Sequence, residues 1–197
     1  MTALWGPLGW MTLHSISICY PENPEESDKQ TLDKFMNAFA GSISCPDCKN
    51  HFGKMFSNYK RLQPDWNASR YNLFLAVCRM HNTVNRRLDK PAPRSVAACL
   101  ETLKNATSVV TPAQFRQKYI DYLTRNWLGL RDQRTLTLVN IMRSINDNYW
   151  VPRENSYNNV VFAENDVYEQ VMQGIAYRDP KLKVKFSGGR FITVRLP

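Results

Sequence analysis

The sequence predicts a mainly α-helical protein with β-structure only at its C-terminal end. Apolar residues recur at three- and four-residue spacing over most of the chain, and several of these stretches follow helix-start signals. Strict alternation of apolar and polar residues appears only after residue 181. The 197 residues suit one large domain or two small ones. A break near Thr111 predicts two regions, residues 1–105 and an accessory α+β region over residues 106–197.

The first region is predicted to be a bundle of four helices plus a short fifth. Each helix is indicated by apolar side chains on one face and by start or stop signals at its ends. A capping-box pattern over residues 27–30 precedes the second helix, and Cys45-Pro46 opens the third. Pro91 and Pro93 break the chain before the fifth. In chain order the predicted helices cover residues 5–20, 27–41, 45–59, 69–88 and 95–105.

The accessory region opens with two further helix starts. Thr111-Pro112 and Asp132 each precede apolar residues at helical spacing. A loop is predicted over Pro152–Asn159 and another helix over Asp166–Ile175. Alternating residues on either side of a Gly-Gly turn predict a C-terminal β-hairpin over residues 182–196. The accessory region contains no cysteine or histidine, so we expect it to serve dimerisation or partner docking rather than chemistry.

Charge and hydropathy narrow the functional classes. The formal net charge is +9, but no run of five like charges occurs, so we interpret the charge as a generally basic surface and do not expect nucleic-acid binding. No apolar stretch reaches the length of a membrane helix, and the N-terminus lacks the basic start of a signal peptide. We therefore expect a soluble protein of the cytoplasm, without membrane association.

Cys45-x-x-Cys48 is the chemical centre of the sequence. Two cysteines at this spacing at a helix start come within disulfide reach, and the helix N-terminus favours the reactive thiolate. The same spacing also occurs in zinc sites: Cys45 and Cys48 with Cys78 and His81 would form a Cys3His structural site, with His51 as a spare ligand. On spacing alone, a redox-active dithiol and a zinc-stabilised interaction module without catalysis both remain open.

The polar residues around His81 favour the redox interpretation. His81 and Asn85 are four residues apart on one predicted helix face, Asn82 lies beside them, and Arg87 and Lys90 follow. A zinc site needs the histidine but gives no role to the asparagines. A cofactor with a heteroaromatic ring, a ribose and phosphates would use stacking, polar and cationic groups of all these kinds.

Four ordered motifs resemble the Erv/ALR sulfhydryl oxidases over about residues 5–100. The motifs are Trp5-Gly6-Pro7-x-x-Trp10-x-x-Leu13-His14, Tyr20-Pro21, Cys45-x-x-Cys48, and Cys78-x-x-His81-Asn82-x-Val84-Asn85-x-x-Leu88-x-Lys90-Pro91. The Trp-Gly-Pro opening is most similar to the versions encoded by large DNA viruses. For a viral enzyme, the expected location is the host cytoplasm and the virion.

The resemblance implies a helical bundle around FAD, a homodimer, and oxidation of protein dithiols with oxygen as the final acceptor and hydrogen peroxide as the product. It implies that Cys45 exchanges with the substrate and that Cys48 lies nearer the flavin. Pro7 stands where cellular enzymes have an arginine, which puts one phosphate contact in doubt. The implied cofactor-binding residues are Gly6, Trp10, His14, Tyr20, Cys78, His81, Asn82, Val84, Asn85, Arg87 and Lys90.

The other three cysteines are expected to be structural rather than catalytic. By the same resemblance, Cys78 and Cys99 form a structural disulfide, with two buried thiols as the alternative. Cys19 is expected to be a buried free thiol. Many relatives carry a second, shuttle cysteine pair, and none is left here. We therefore expect direct oxidation of a partner dithiol, such as a thioredoxin-like carrier, or help from a neighbouring chain.

Overall fold

The computed structural model describes residues 2–164 and 167 together with two strands near the C-terminus, and side chains over residues 5–164 and 167. It is mainly helical, as predicted. The helices are α1 Thr2–Cys19, α2 Glu26–Ser42, α3 Pro46–Leu62, α4 Arg70–Arg87, α5 Val96–Ala106, α6 Pro112–Gly129 and α7 Gln133–Ile145. A π-helical turn, Asn146–Trp150, extends α7, and short 3-10 turns follow at Val151–Arg153 and Tyr157–Asn159. Strands β1 Leu182–Ser187 and β2 Arg190–Arg195 pair antiparallel.

Most helix starts lie where the sequence predicts them, because polar side chains satisfy the first free N–H groups of the helix. Ser69 accepts from the backbone of α4, and Ser95 does the same for α5. Thr111 and Gln114 form a reciprocal capping box at the start of α6. Asp132 accepts from the backbone N–H of Thr135 and caps α7.

Two predicted local features are corrected. The capping box of α2 is formed by Glu25 and Asp28 rather than over residues 27–30: the Glu25 N–H donates to the Asp28 carboxylate at 2.9 Å. Carboxylates fill both places because they accept from N–H groups and favour the positive end of the helix dipole. The predicted loop Pro152–Asn159 contains the second 3-10 turn and the last two residues of the first, Val151–Arg153. The predicted helix Asp166–Ile175 lies outside the described residues, apart from Val167.

The accessory helices pack directly on the bundle. α6 lies against α1, α7 lies against α2, and α6 and α7 contact each other, while α1 also packs on α4. Tyr119, Val139 and Trp150 from the accessory region belong to the same hydrophobic core as Leu13 and Phe35. The predicted boundary between residues 105 and 111 stays a prediction, and the described residues on its two sides share one continuous core.

The segment after α7 returns across the bundle. The Asn155 side chain donates to the Ile18 carbonyl at the end of α1 at 3.1 Å. Phe162 packs against Tyr71 and Phe74 of α4 with ring centroids 5.6 and 4.6 Å apart. No helix in the described part of the chain combines the length and hydrophobicity needed to cross a bilayer.

Candidate active site

Cys45 and Cys48 form a disulfide at the start of α3, with Cα atoms 5.2 Å apart. Cys45 is the N-cap residue: its Sγ accepts from the Cys48 backbone N–H at 3.3 Å, and Pro46 occupies the first helical position. Both cysteines are half-buried. The positive end of the α3 dipole therefore faces the sulfur pair, which favours a thiolate when the bond is reduced.

Cys48 also lines a cavity of about 630 Å³ between α1, α3 and α4. Its walls are mainly apolar and aromatic with a few polar groups, and its size falls in the range of cofactor and small-molecule sites. Cys45 is not among the lining residues. The lining comprises Trp5, Gly6, Pro7, Trp10, Met11, Leu13, Phe39, Cys48, His51, Phe52, His81, Val84, Asn85, Arg87, Leu88 and Lys90.

Two stacked rings form part of the cavity wall, and a third ring lies behind them. Trp10 stacks on His81 with centroids 4.5 Å apart and planes 8° apart. His14, behind them, shares a hydrogen bond of 3.0 Å from its Nε2 to Nδ1 of His81. Burial lowers the pKa of His14 well below its usual value, and it lowers the pKa of His81 to about 4, with a smaller contribution from Lys90. Both imidazoles are therefore neutral at pH 7.

Cationic and unsatisfied polar groups face the cavity from α1 and α4. Arg87 and Lys90 supply positive charge at its rim. Two polar atoms of the cavity lining, Trp5 Nε1 and Arg87 Nε, are buried without a hydrogen-bond partner. Buried donors without partners are costly, which points to a ligand with acceptor groups here. A Cβ on Gly6 would meet nothing within 4 Å, so this part of the wall is open.

The structure separates the implied cofactor-binding residues into two groups. Gly6, Trp10, His81, Val84, Asn85, Arg87 and Lys90 line the cavity. Asn82 instead donates its side-chain N–H to the Pro93 carbonyl at 2.5 Å, and the Tyr20 hydroxyl donates to the Asn67 carbonyl at 3.1 Å. Cys78 is fully buried in the core, and His14 reaches the cavity only through His81.

The other thiols do not form the predicted bridge. Cys78 and Cys99 are buried free thiols in hydrogen-bond contact, so the structure has the alternative of two thiols rather than a disulfide. Cys19 is free and buried, as predicted. The four predicted zinc ligands do not converge, and within the described part of the chain no three His, Cys, Asp or Glu side chains could hold a metal ion together.

The sequence motifs did not assign several lining residues to the cavity. His51 and Phe52 lie one turn after Cys48 on α3, so helical spacing alone could have placed them beside it. Burial, followed by the Arg87 charge, lowers the pKa of His51 to about 4. Met11 and Phe39 carry no comparable signal, because an apolar residue at helical spacing is typical of any core.

Comparisons with known proteins identify the family of the chain. Residues 8–107 match the model of the Erv1 / Alr family, and the chain belongs to that family. A putative FAD-linked sulfhydryl oxidase of Invertebrate iridescent virus 3 is 34% identical over 89 residues, which are 45% of this chain and 58% of that protein. A probable FAD-linked sulfhydryl oxidase of Acanthamoeba polyphaga mimivirus is 30% identical, over 50% of this chain and 71% of the relative.

A cellular relative shows similar identity over less of its length. The mitochondrial FAD-linked sulfhydryl oxidase of Saccharomyces cerevisiae is 34% identical over 44% of this chain and 43% of its own. The chain thus spans between about two fifths and seven tenths of these three relatives. A comparison with solved structures gives no significant match.

Proposed function

We propose that this protein is an FAD-dependent thiol oxidase that forms disulfide bonds in protein substrates. One observation carries the proposal: Cys48 of the helix-capping disulfide lines the same cavity as the stacked Trp10 and His81 rings. Membership of the Erv1 / Alr family and the names of the relatives support it. A zinc module has no such support, because two of its four ligands are joined in the disulfide.

The residues of the cavity fit FAD. The Trp10–His81 stack and Phe52 offer flat apolar surface for heteroaromatic rings, and Asn85 offers an amide for polar ring edges. Arg87 and Lys90 supply cations for the diphosphate. The unsatisfied donors Trp5 Nε1 and Arg87 Nε would gain acceptors.

The reaction begins at the disulfide. A substrate thiolate attacks Cys45 Sγ, the Cys45–Cys48 bond breaks, and Cys48 leaves as a thiolate beside the cavity. The second substrate thiol then displaces Cys45, giving a substrate disulfide and a reduced Cys45/Cys48 pair. A bound FAD would supply the redox chemistry by which the reduced pair closes again to the Cys45–Cys48 disulfide, with its two electrons and two protons ending on dioxygen as hydrogen peroxide. The His14–His81 pair is neutral, so it adds no positive charge to the part of the cavity wall that is formed by Trp10 and His81.

We expect the purified protein to be yellow and to release FAD on denaturation. Cys48→Ser should keep the flavin absorption yet lose dithiol-dependent oxygen uptake by at least about a hundredfold, because no disulfide can re-form. Cys99→Ser is the matched control, since it changes a buried free thiol outside the cavity and should retain uptake. A colourless protein, or a fully active Cys48→Ser variant, would refute the proposal.

Substrate class and assembly are further parts of this proposal. The half-buried Cys45 lies outside the cavity lining, so a protein dithiol, for instance on a thioredoxin-like carrier, is the substrate we propose. The homodimer and the cytoplasmic or virion location rest on the family resemblance. Analytical ultracentrifugation of the flavin-loaded protein tests the first of these, with a single species at monomer mass as the contrary result.

A further inference from the structure

The segment that leads into the Cys45–Cys48 disulfide is held by the accessory region. α2 ends at Ser42 and α3 begins at Pro46, so only residues 43–45 join the two helices. The Trp127 indole on α6 donates from Nε1 to the Ser42 carbonyl oxygen at 2.9 Å. The last carbonyls of a helix have no partner within the helix, and this one receives its donor from outside the bundle.

A second contact from α6 reaches the residue directly before Cys45. The Tyr122 hydroxyl and the Ser44 hydroxyl share a hydrogen bond of 3.2 Å. Trp127 and Tyr122 thus hold both ends of the stretch 42–44, and both side chains are partly buried. The two contacts restrain the stretch of chain that leads into α3.

α7 supports the same stretch from its other side. The Ser42 hydroxyl contacts Met142 Sδ at 3.4 Å. A Cβ on Gly41 would come within 2.6 Å of Leu138 Cδ1, so the absence of a side chain at Gly41 allows α7 to approach this closely. Arg143 ties α7 to α6 through Asp121 and Thr124, at 3.3 and 3.0 Å. The support is therefore a connected pair of helices.

We propose that Trp127 and Tyr122 are positioning residues for the redox pair, holding residues 42–44 so that Cys45 keeps the N-cap geometry that stabilises its thiolate. This inference rests on the proposed thiol chemistry of Cys45 and Cys48. The contact it concerns is the Cys48 N–H donating to Cys45 Sγ at 3.3 Å. Both positioning residues lie after residue 107, beyond the part of the chain that matches the family.

The test measures the thiol directly rather than the oxidase activity. In a Cys48→Ser background, the rate of alkylation of Cys45 by iodoacetamide is followed against pH by mass spectrometry of its peptide. The measured quantity is the pH at which the alkylation rate is half its maximum, called the midpoint. Trp127→Phe keeps an aromatic ring and removes the N–H, and it should raise this midpoint by about half a pH unit. The charged residues Asp47 and Lys49, which are neighbours of Cys45 in sequence, and Asp132, which interacts with Lys49, are the same in every variant.

Tyr122→Phe should raise the midpoint in the same direction. Tyr149→Phe is its matched control, because it removes a hydroxyl bonded to Asp28 at the opposite end of α2. Ser44→Ala removes the same hydrogen bond from the other side, so it should reproduce Tyr122→Phe, and the double variant should shift no further. If Trp127→Phe does not fold, Tyr122→Phe and Ser44→Ala still test the inference.

Midpoints that stay at the parent value in folded Trp127→Phe and Tyr122→Phe proteins overturn the inference. An equal shift in Tyr149→Phe does so too, because the effect would then be general. The alkylation needs neither FAD nor oxygen, so it gives a result even if the parent protein proves colourless and inactive. The proposed function and the positioning role can therefore fail separately.

Discussion

His14 and His81 share one proton between two buried ring nitrogens. Their 3.0 Å contact needs one donor and one acceptor, which two neutral imidazoles provide and two imidazolium ions cannot. Burial lowers the pKa of both, and Lys90 adds to the effect at His81. The sequence marks both residues as polar members of one motif, whereas the structure shows that they act as a pair.

The pH dependence of stability should reveal these neutral histidines. A folded pKa of about 4 for His81, against 6.5 when unfolded, means that the unfolded chain binds more protons between these values. Protonation of this group therefore does not reduce the free energy of unfolding above pH 6.5. As the pH drops from 6.5 towards 4, the free energy of unfolding falls. His81→Gln should remove up to about 2 kcal/mol of the loss in free energy of unfolding between pH 7 and pH 5. Urea titrations at the two pH values measure it, and an unchanged loss would contradict the assignment.

Helical geometry explains which motif residues reach the cavity. Successive residues turn by about 100°, so Asn85 lies about 40° from His81 around the helix, while Asn82 lies about 100° away. His81 and Asn85 line the cavity, and Asn82 turns to the Pro93 carbonyl. The residue types could be predicted from the sequence. The partner of Asn82 could not, because it depends on the path of the chain after α4.

At the scale of elements, the caps are the most predictable feature. Ser69, Thr111 and Asp132 begin their helices where the sequence indicates, because each places a side-chain oxygen on free N–H groups. The N-cap of α2 is Glu25, two residues before the predicted Ser27, since the acidic run before the helix offers more than one acceptor. Contacts between elements could not be predicted from the sequence. Trp127 and Ser42, for example, are 85 residues apart in the chain. Hydrophobic periodicity identifies the buried face of a helix but not the helix that packs on it.

The cap of α7 gives a prediction at this scale. Asp132 accepts from the Thr135 backbone N–H at 3.0 Å and from its hydroxyl at 2.8 Å, and both bonds lower the pKa of the carboxyl. Asp132→Ala should lower the free energy of unfolding, whereas Asp132→Asn keeps an acceptor and should lower it less. Urea unfolding compares the three proteins. Equal stability of all three proteins would show that the cap contributes nothing.

At the scale of the whole molecule, a buried polar cluster joins the accessory region to the bundle. Arg116 on α6 is fully buried and pairs with Glu154. Its Nε donates to Asn146 at 2.8 Å, and one terminal nitrogen donates to Ser15 on α1 at 3.2 Å. Glu154 also accepts from the Ala113 N–H at the start of α6. α1, α6 and the returning segment thus meet at one charged group inside a shared core.

That arrangement predicts unequal costs for removing two arginines. Arg116→Met leaves Asn146 and Ser15, which are buried, and the more exposed Glu154 without their shared donor, and should cost about 2 kcal/mol. Arg143→Met, the matched control, breaks a pair with Asp121 whose side chains are 34% and 42% exposed, and should cost less than about 1 kcal/mol.

Because the core is continuous, unfolding should also be a single transition, with tryptophan fluorescence and circular dichroism changing at the same urea concentration in the parent and in both variants. Similar losses for the two arginines would mean that the cluster does not join the regions. Two separated transitions would mean that residues 1–105 and 106–197 fold as independent units despite the core they share.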